Sequence, residues 1–324
     1  MTINCLSQNN SENIQDGSLW PRISIITPSF NQGNYLEETI NSVLSQGYPN
    51  LEYMVIDGGS TDKSVEIIRK YESQLSYWIS ESDRGQAHAI NKGLEHCTGQ
   101  LVGWINSDDT LIGGALFYVG MAYLKNPDKI IMGNVLHISE SSGRTHLVKV
   151  KAVDLDGIIL PAVSGSVWQQ PGTFVPSALV KKIGYLDETF RYTFDLDWMC
   201  RLLRIAGVVY LHETVAVFRE HIHSKTVGEG YYWVEEIEKV AYRYLPEVKR
   251  INPKRMESYL ALMRAARNLG RVHRDRRIAL NEMCLAMKIY PLSLLSRLFG
   301  ELILRMTIPF KIQQKAKIWL DNHR

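Results

Sequence analysis

Cysteine is scarce: four residues in 324, Cys5, Cys97, Cys200 and Cys284, with no paired spacing. That excludes a disulfide framework and a cysteine zinc motif, and points to reduced thiols in a cytoplasmic setting. Long apolar runs are also missing. The longest uncharged one, Leu111 to Leu124, has fourteen residues, short of the roughly 20 that span a bilayer. Residues 1–20, rich in Asn, Ser and Gln, lack the apolar stretch of a secretory leader and are expected to form a flexible tail without chemistry. There is no P-loop, and the first strand-to-helix junction, "TPSFNQG", lacks the Gly-rich turn of a dinucleotide-binding domain. Net charge is only +3, and no nucleic-acid partner is expected.

What is present is an ordinary globular composition, 45% hydrophobic, in a chain long enough for one large catalytic domain and an accessory segment. From Arg22, short β-like runs alternate with amphipathic helices. "ISIITP", "LEYMVID", "YWISE" and "LVGWIN" read as strands. A helix capped by Asn34 with Glu37, one capped by Ser60 or Thr61, and one over Gln86 to His96 lie between them. This alternation implies a largely parallel sheet covered on both faces, with functional groups at the carboxyl ends of its strands. After Asp109 come a long apolar helix, irregular strands, and a loop running into a helix that carries Trp198, Leu202 and Ile205. From about Tyr231 the sequence reads as helical. The expected division is a tail over 1–20, a catalytic domain over 21–225 and a basic helical region over 226–324.

The apolar run of "GWINSDD" stops on two adjacent carboxylates, Asp108 and Asp109. A turn after a strand accounts for a lone pair of acids. Here, however, acids also follow the second strand (Asp57) and open a later helix (Asp195 and Asp197), a pattern suited to a cation and a hydroxyl rather than a hydride. Asp195 and Asp197 stand two positions apart on a helix, so they point different ways and only one can serve as a base.

Taken together, "ISIITPSFNQGNYLEETINSVLSQGYPNLEYMVIDGGSTD", "SDRGQAHAINKG", "GWINSDD", "WQQPGTF", "FDLDWMCRL" and "EHIHSKT" resemble the inverting family 2 glycosyltransferases of the GT-A fold, in the family's order and spacing from about Arg22 to Thr226. The resemblance implies an α/β fold with a mostly parallel sheet. It implies transfer of a sugar from a nucleotide-sugar donor to a glycan or lipid-linked acceptor hydroxyl in polysaccharide biosynthesis, with Mg²⁺ or Mn²⁺. Such an ion takes one or two protein carboxylates, leaves positions for phosphate oxygens and neutralises the diphosphate leaving group.

The same resemblance assigns the metal to Asp109, with His221 completing the site and His223 a weaker candidate. Asp108 falls to the donor's ribose and the metal's outer shell, and Asp195 to the base, with Asp197 as second choice. Thr27, Pro28, Phe30 and Asp57 are expected in the nucleotide pocket, and Arg84 on the diphosphate. Gln170 and Trp168 are expected in the acceptor or sugar cleft. Many relatives carry a second Asp directly after the one at 57, where this chain has Gly58, so the nucleobase is left open. Two rivals remain. A sugar-phosphate nucleotidylyltransferase needs a basic Gly-rich loop after the first strand, which "TPSFNQG" is not. A non-catalytic carbohydrate-binding relative is opposed by the intact Asp108, Asp109 and Asp195.

Charge is uneven along the chain. Residues 264–324 hold thirteen Lys and Arg against four Asp and Glu, while the first 263 residues carry a net −6. Leu292, Leu295, Phe299, Leu302 and Met306 recur at helical spacing within that basic segment. Two readings stand: a helical cap packed on the catalytic domain, or docking on an anionic membrane at the inner face of the cell membrane, where a lipid-linked acceptor is found. Both are compatible on different faces.

Overall fold

The computed structural model describes residues 20–159, 166–222, 224–225, 232–269 and 275–307. His223 and the expected tail lie outside them, except Trp20, which packs edge-on against Tyr48 and Phe117. Strand β1 (Ile23–Ser29) is buried along its whole length, as a strand covered on both faces must be. It pairs in parallel with β2 (Leu51–Asp57) and β4 (Leu101–Trp104), and β2 pairs in parallel with β3 (Tyr77–Ser80). The helices between them are α1 (Leu36–Leu44), α2 (Ser64–Tyr71) and α3 (Gln86–His96). Period-2 alternation divides the strands between two cores. Ile23, Ile25, Tyr53 and Val55 pack with Ile40 of α1 and Ile68 of α2, whereas Ile26 and Ile56 pack with Ile90 and Leu94 of α3.

Beyond β4 the chain adds β5 (Thr110–Leu111), α4 (Ala115–Lys125), β6 (Ile130–Ser139), β7 (Arg144–Val148), α5 (Leu155–Ile159), β8 (Thr173–Pro176), α6 (Ser177–Ile183), α7 (Phe194–Leu203) and β9 (Val208–Glu220). The sheet order is β3-β2-β1-β4-β8-β6-β9-β5, with β7 on β6. Its first half is parallel. In the second half β8 runs antiparallel to β4 and β6, and β9 runs parallel to β6.

The last described helices are α8 (Trp233–Tyr244), α9 (Pro253–Asn268), α10 (Arg276–Ile289) and α11 (Arg297–Thr307). Val234, Val240 and Ala241 of α8 and Met256 and Leu260 of α9 share one core with Ile26, Trp198 and Leu202. A smaller core joins α9, α10 and α11 through Leu262, Ala265, Met283, Phe299 and Leu302. Among the described residues no helix is long and apolar enough to cross a membrane.

Three local expectations are corrected. Tyr35, not Asn34, caps α1, without a side-chain bond. Lys63 caps α2, because Ser60 turns its hydroxyl to Asp57, and Asn31 accepts the Thr61 N–H at 2.9 Å. The apolar stripe near the C-terminus is not one helical face. A 3₁₀ turn at Pro291–Leu295 precedes α11, so Phe299 and Leu302 are buried while Leu292 and Leu295 face solvent.

Candidate active site

The two acids of "GWINSDD" fall on the crossing from β4 to β5. Ile105 donates its N–H to Ile26 O at 3.0 Å, which carries the chain one residue past β4 along β1. Antiparallel pairing of Thr110 and Leu111 with Val217 and Ala216 then draws β9 alongside. The end of β9 therefore delivers Arg219 and His221 to the acids. The Arg219 N–H bonds Asp109 Oδ1 at 2.9 Å, and Asn106 Nδ2 bonds Asp109 Oδ2 at 3.1 Å. His221 Nε2 donates to Asp108 Oδ2 at 3.0 Å, with the His221 ring against Tyr35.

Asp109 is buried, and that burial, together with the neighbouring Asp108 charge, pushes its carboxyl well above the usual range. A bound cation would relieve such a pair. Among the described residues no three His, Cys, Asp or Glu side chains form a ready metal cage. Asp109 and Asp108, the latter bonded to His221, suit an ion that would take only one or two protein carboxylates and draw its other oxygens from phosphate.

A cavity of about 1210 Å³ opens beside this crossing. Asp108 lines it, and so does Asp195 in the first turn of α7. Burial pushes the Asp195 carboxyl up to about 6, against the bonds from the backbone N–H groups of Leu196 and of Asp195 itself and the positive charge of Lys225. Asp197 points elsewhere and is fully buried. Its Oδ2 accepts Arg201 Nε at 3.0 Å, and its Oδ1 accepts Arg243 Nη1 at 2.6 Å and the Tyr244 hydroxyl at 3.0 Å. The second choice of base is thus the centre of an ion-pair network, away from the cavity.

Of the expected nucleotide residues, Pro28 and Phe30 line the cavity, Phe30 exposed. Thr27 does not; its hydroxyl bonds Tyr53 inside the sheet at 3.0 Å. Asp57 is also turned inward. It accepts the N–H groups of Gly59 and Ser60 and the hydroxyls of Ser60 and Ser80, which locks the turn after β2. Gly58 lines the cavity in its place, and a Cβ there would stand 2.6 Å from an Asp83 carboxylate oxygen. Asp83 therefore fills the space that a side chain at 58 would take.

Arg84 lies at the cavity edge with its Nε and Nη2 on Glu188 Oε2, at 2.9 and 2.7 Å. Gln170 donates to Trp104 O and Trp168 to Thr173 Oγ1, and both line the same cavity. Sequence reasoning missed a relay across the cavity wall: Lys225 Nζ bonds Gln86 Oε1 at 2.9 Å, Gln86 Nε2 bonds Asn106 Oδ1 at 2.7 Å, and Asn106 holds Asp109. Amide side chains carry no charge pattern, and only their company inside "SDRGQ" and "GWINSDD" could have flagged them.

A family model described as glycosyl transferase family 2 matches residues 24–178. Over 236 residues the chain is 30% identical to an uncharacterized glycosyltransferase of Rickettsia typhi, spanning 71% of this chain and 73% of that protein. A 92-residue stretch, 28% of this chain and 36% of the relative, is 39% identical to the putative teichuronic acid biosynthesis glycosyltransferase TuaG of Bacillus subtilis.

Among solved structures, S. aureus TarS 1–349 in complex with UDP-GlcNAc superposes with a TM-score of 0.60 at 16% identity, covering 88% of each chain. The chain spans 50% of a longer TarS structure. The mannosyltransferase PcManGT of Pyrobaculum calidifontis, in complex with GDP-Man and Mn²⁺, superposes with a TM-score of 0.53 at 17% identity, over 94% of this chain and 86% of that one. These likenesses carry the fold, which is that of a GT-A glycosyltransferase, as the resemblance of the sequence motifs implies. The chain belongs to glycosyltransferase family 2.

Proposed function

We propose that this glycosyltransferase inverts the anomeric centre as it moves a sugar from a nucleotide-sugar donor to a hydroxyl of a glycan or lipid-linked acceptor, in the assembly of a surface polysaccharide. The observation that carries this reading is that Asp108 and Asp195 line one cavity while Asp195 holds a carboxyl raised to about 6. Asp195 takes the proton of the acceptor hydroxyl as it attacks. A base whose pKa lies close to working pH combines the correct ionisation with a useful driving force. Asp109 and His221 would hold Mg²⁺ or Mn²⁺, with Asp108 at the ion's outer shell and the donor's ribose, and the ion would offset the charge on the diphosphate.

Arg84 is positioned to trade Glu188 for a diphosphate oxygen, and Pro28 and Phe30 to flank the nucleoside. Gln170 and Trp168 face the sugar or acceptor. The Rickettsia relative and the TuaG stretch support the chemistry class and the polysaccharide setting, and the UDP- and GDP-sugar complexes of the structural neighbours support a nucleotide-sugar donor. The test is turnover with a panel of UDP-, GDP- and TDP-sugars, with Mn²⁺ and with EDTA. Metal-dependent turnover of one nucleotide series with inverted product is expected. Full activity in EDTA, or a retained anomeric configuration, overturns the reading.

The reading extends to the membrane. Leu292, Leu294 and Leu295 are exposed, Leu295 by 83%, just before the exposed side chain of Arg297 in the chain's basic segment. Apolar side chains flanked by cations suit an anionic bilayer surface.

A further inference from the structure

Helix α7 draws only part of its start from its own sequence, where Asp195 accepts the Leu196 N–H at 2.8 Å. Its N-cap, Thr193, makes no side-chain capping bond, although the N–H groups at a helix start need acceptors. The acceptor comes from α8. Glu236 Oε2 takes the N–H of Tyr192 at 2.7 Å, the N–H of Thr193 at 3.0 Å and the Thr193 hydroxyl at 3.3 Å, and Glu236 Oε1 takes the N–H of Arg191 at 2.8 Å. A carboxylate with this many charge-assisted bonds also sits well at the positive end of the helix dipole. Two turns further along α8, Arg243 and Tyr244 grip Asp197, and Arg243 bonds Asp187 at 3.1 Å as well. Asp195 lies between these two grips, its Oδ1 accepting the Leu196 N–H at 2.8 Å.

We propose that Glu236 is a positioning residue for the transfer, holding the 191–193 turn so that Asp195 meets the acceptor hydroxyl. This rests on the reading of Asp195 as the base. Glu236 lies outside the 24–178 span of the family model, on the helical segment that follows β9. Part of the catalytic geometry is thereby built by a helix beyond the family match.

Glu236 has a second effect, because its negative charge raises the Asp195 carboxyl while Lys225 lowers it. Other charged or titratable groups around α7 include Asp197, Cys200 and Arg201 on the helix itself, Asp187 before it, Arg243 and Tyr244 on α8, and Glu247 after α8; Arg201, Arg243 and Tyr244 are bonded to Asp197, and Arg243 also to Asp187. Glu236→Gln removes the charge and offers an amide N–H to backbone N–H groups that need an acceptor. Glu236→Asp keeps the charge and withdraws it by one methylene.

The experiment measures kcat, donor KM, thermal midpoint and the pH profile of kcat/KM for the full chain, with Glu235→Gln as a control on the same helix and Asp195→Asn as the reference for the base. Glu235 pairs with Arg267, and its loss should leave the profile unchanged. The expected result for Glu236→Gln is a kcat lower by roughly 10–100-fold, a donor KM within about twofold, and an acid limb moved to lower pH. Glu236→Asp should recover the acid limb and part of kcat. A wild-type limb and kcat per folded molecule in Glu236→Gln, whatever its thermal midpoint, overturns the proposal while leaving Asp195 as base. If Glu236→Gln does not fold, a wild-type kcat in Glu236→Asp does the same. Undiminished turnover in Asp195→Asn overturns both.

Discussion

Asp197 and Asp195 stand two residues apart on α7. Asp197 spends both oxygens on Arg201, Arg243 and Tyr244 and is fully buried under α8. Asp195 faces the cavity with a carboxyl raised to about 6. The same contrast separates two larger regions. Beneath α8, carboxylates such as Asp197, Asp187 and Glu236 are matched by cations or by backbone donors. At the β4–β5 crossing, Asp109 is buried beside another acid and held by one backbone and one amide N–H. Matched acids hold the fold together, whereas under-matched acids, Asp195 lining the cavity and Asp109 buried behind Asp108, are costly to ionise.

The sharpest way to break this comparison is to neutralise the two acids of α7 separately. Asp195→Asn should lower kcat by about 10²–10⁴ with donor affinity nearly unchanged, the usual weight of a general base. In the unmutated enzyme kcat/KM should climb as pH rises through about 6 and level off above it, because the base must be ionised. A folded-state pKa above the ordinary value of 3.8 stabilises the fold below that value, and the contribution is lost as pH rises through about 6. Asp195→Asn should therefore raise stability at neutral pH by about 1–3 kcal/mol, and the gain should vanish near pH 3.5. A drop in stability would place Asp195 with the matched acids.

Asp109→Asn comes next. Its transfer rate should fall on the order of 10²–10³, comparable to losing one fixed stabiliser of developing charge, and isothermal titration should show weaker Mn²⁺ binding in the presence of UDP or GDP. Asp197→Asn should act on the other side of the comparison. It takes the carboxylate from Arg201 and leaves Arg243 with Asp187, and urea unfolding should show a loss of about 2–4 kcal/mol, reduced from the fully buried case because Arg243 keeps that partner and 45% of its side chain in solvent. Turnover per folded molecule should change far less than in Asp195→Asn.

The C-terminal helices offer the same contrast in apolar form, and its exposed member carries the smallest effect. Leu302→Asp should destabilise the fold by several kcal/mol, since Leu302 is fully buried between α9 and α10. Leu295→Asp should alter stability by less than about 0.5 kcal/mol and weaken co-sedimentation with anionic liposomes. Each basic side chain at such a surface adds about 1 kcal/mol, screened within about 8 Å at physiological salt. Equal binding to neutral liposomes would remove the membrane from the account of Leu295.

The amino-acid sequence by itself determined the β/α alternation up to Trp104 and the third helix over Gln86–His96. It also determined that two acids end the fourth strand and two more open α7, because backbone periods of 2 and 3.6 and strand-end acids are local signals. Only the tertiary structure decided which acids face a ligand. Asp57 lies at the expected strand end, yet its carboxylate closes its own turn, and Asp197 looks like a base until Arg243, 46 residues later, is brought against it. Arg219 reaches Asp109 across 110 residues through the pairing of β5 with β9. The stripe from Leu292 to Met306 keeps helical spacing in the sequence, but the 3₁₀ turn at Pro291–Leu295 divides it between core and solvent. The physical reason is common to all of these: spacing is set by the local backbone, whereas a side chain's partner, burial and ionisation depend on which distant segment the sheet register and helix packing bring to it.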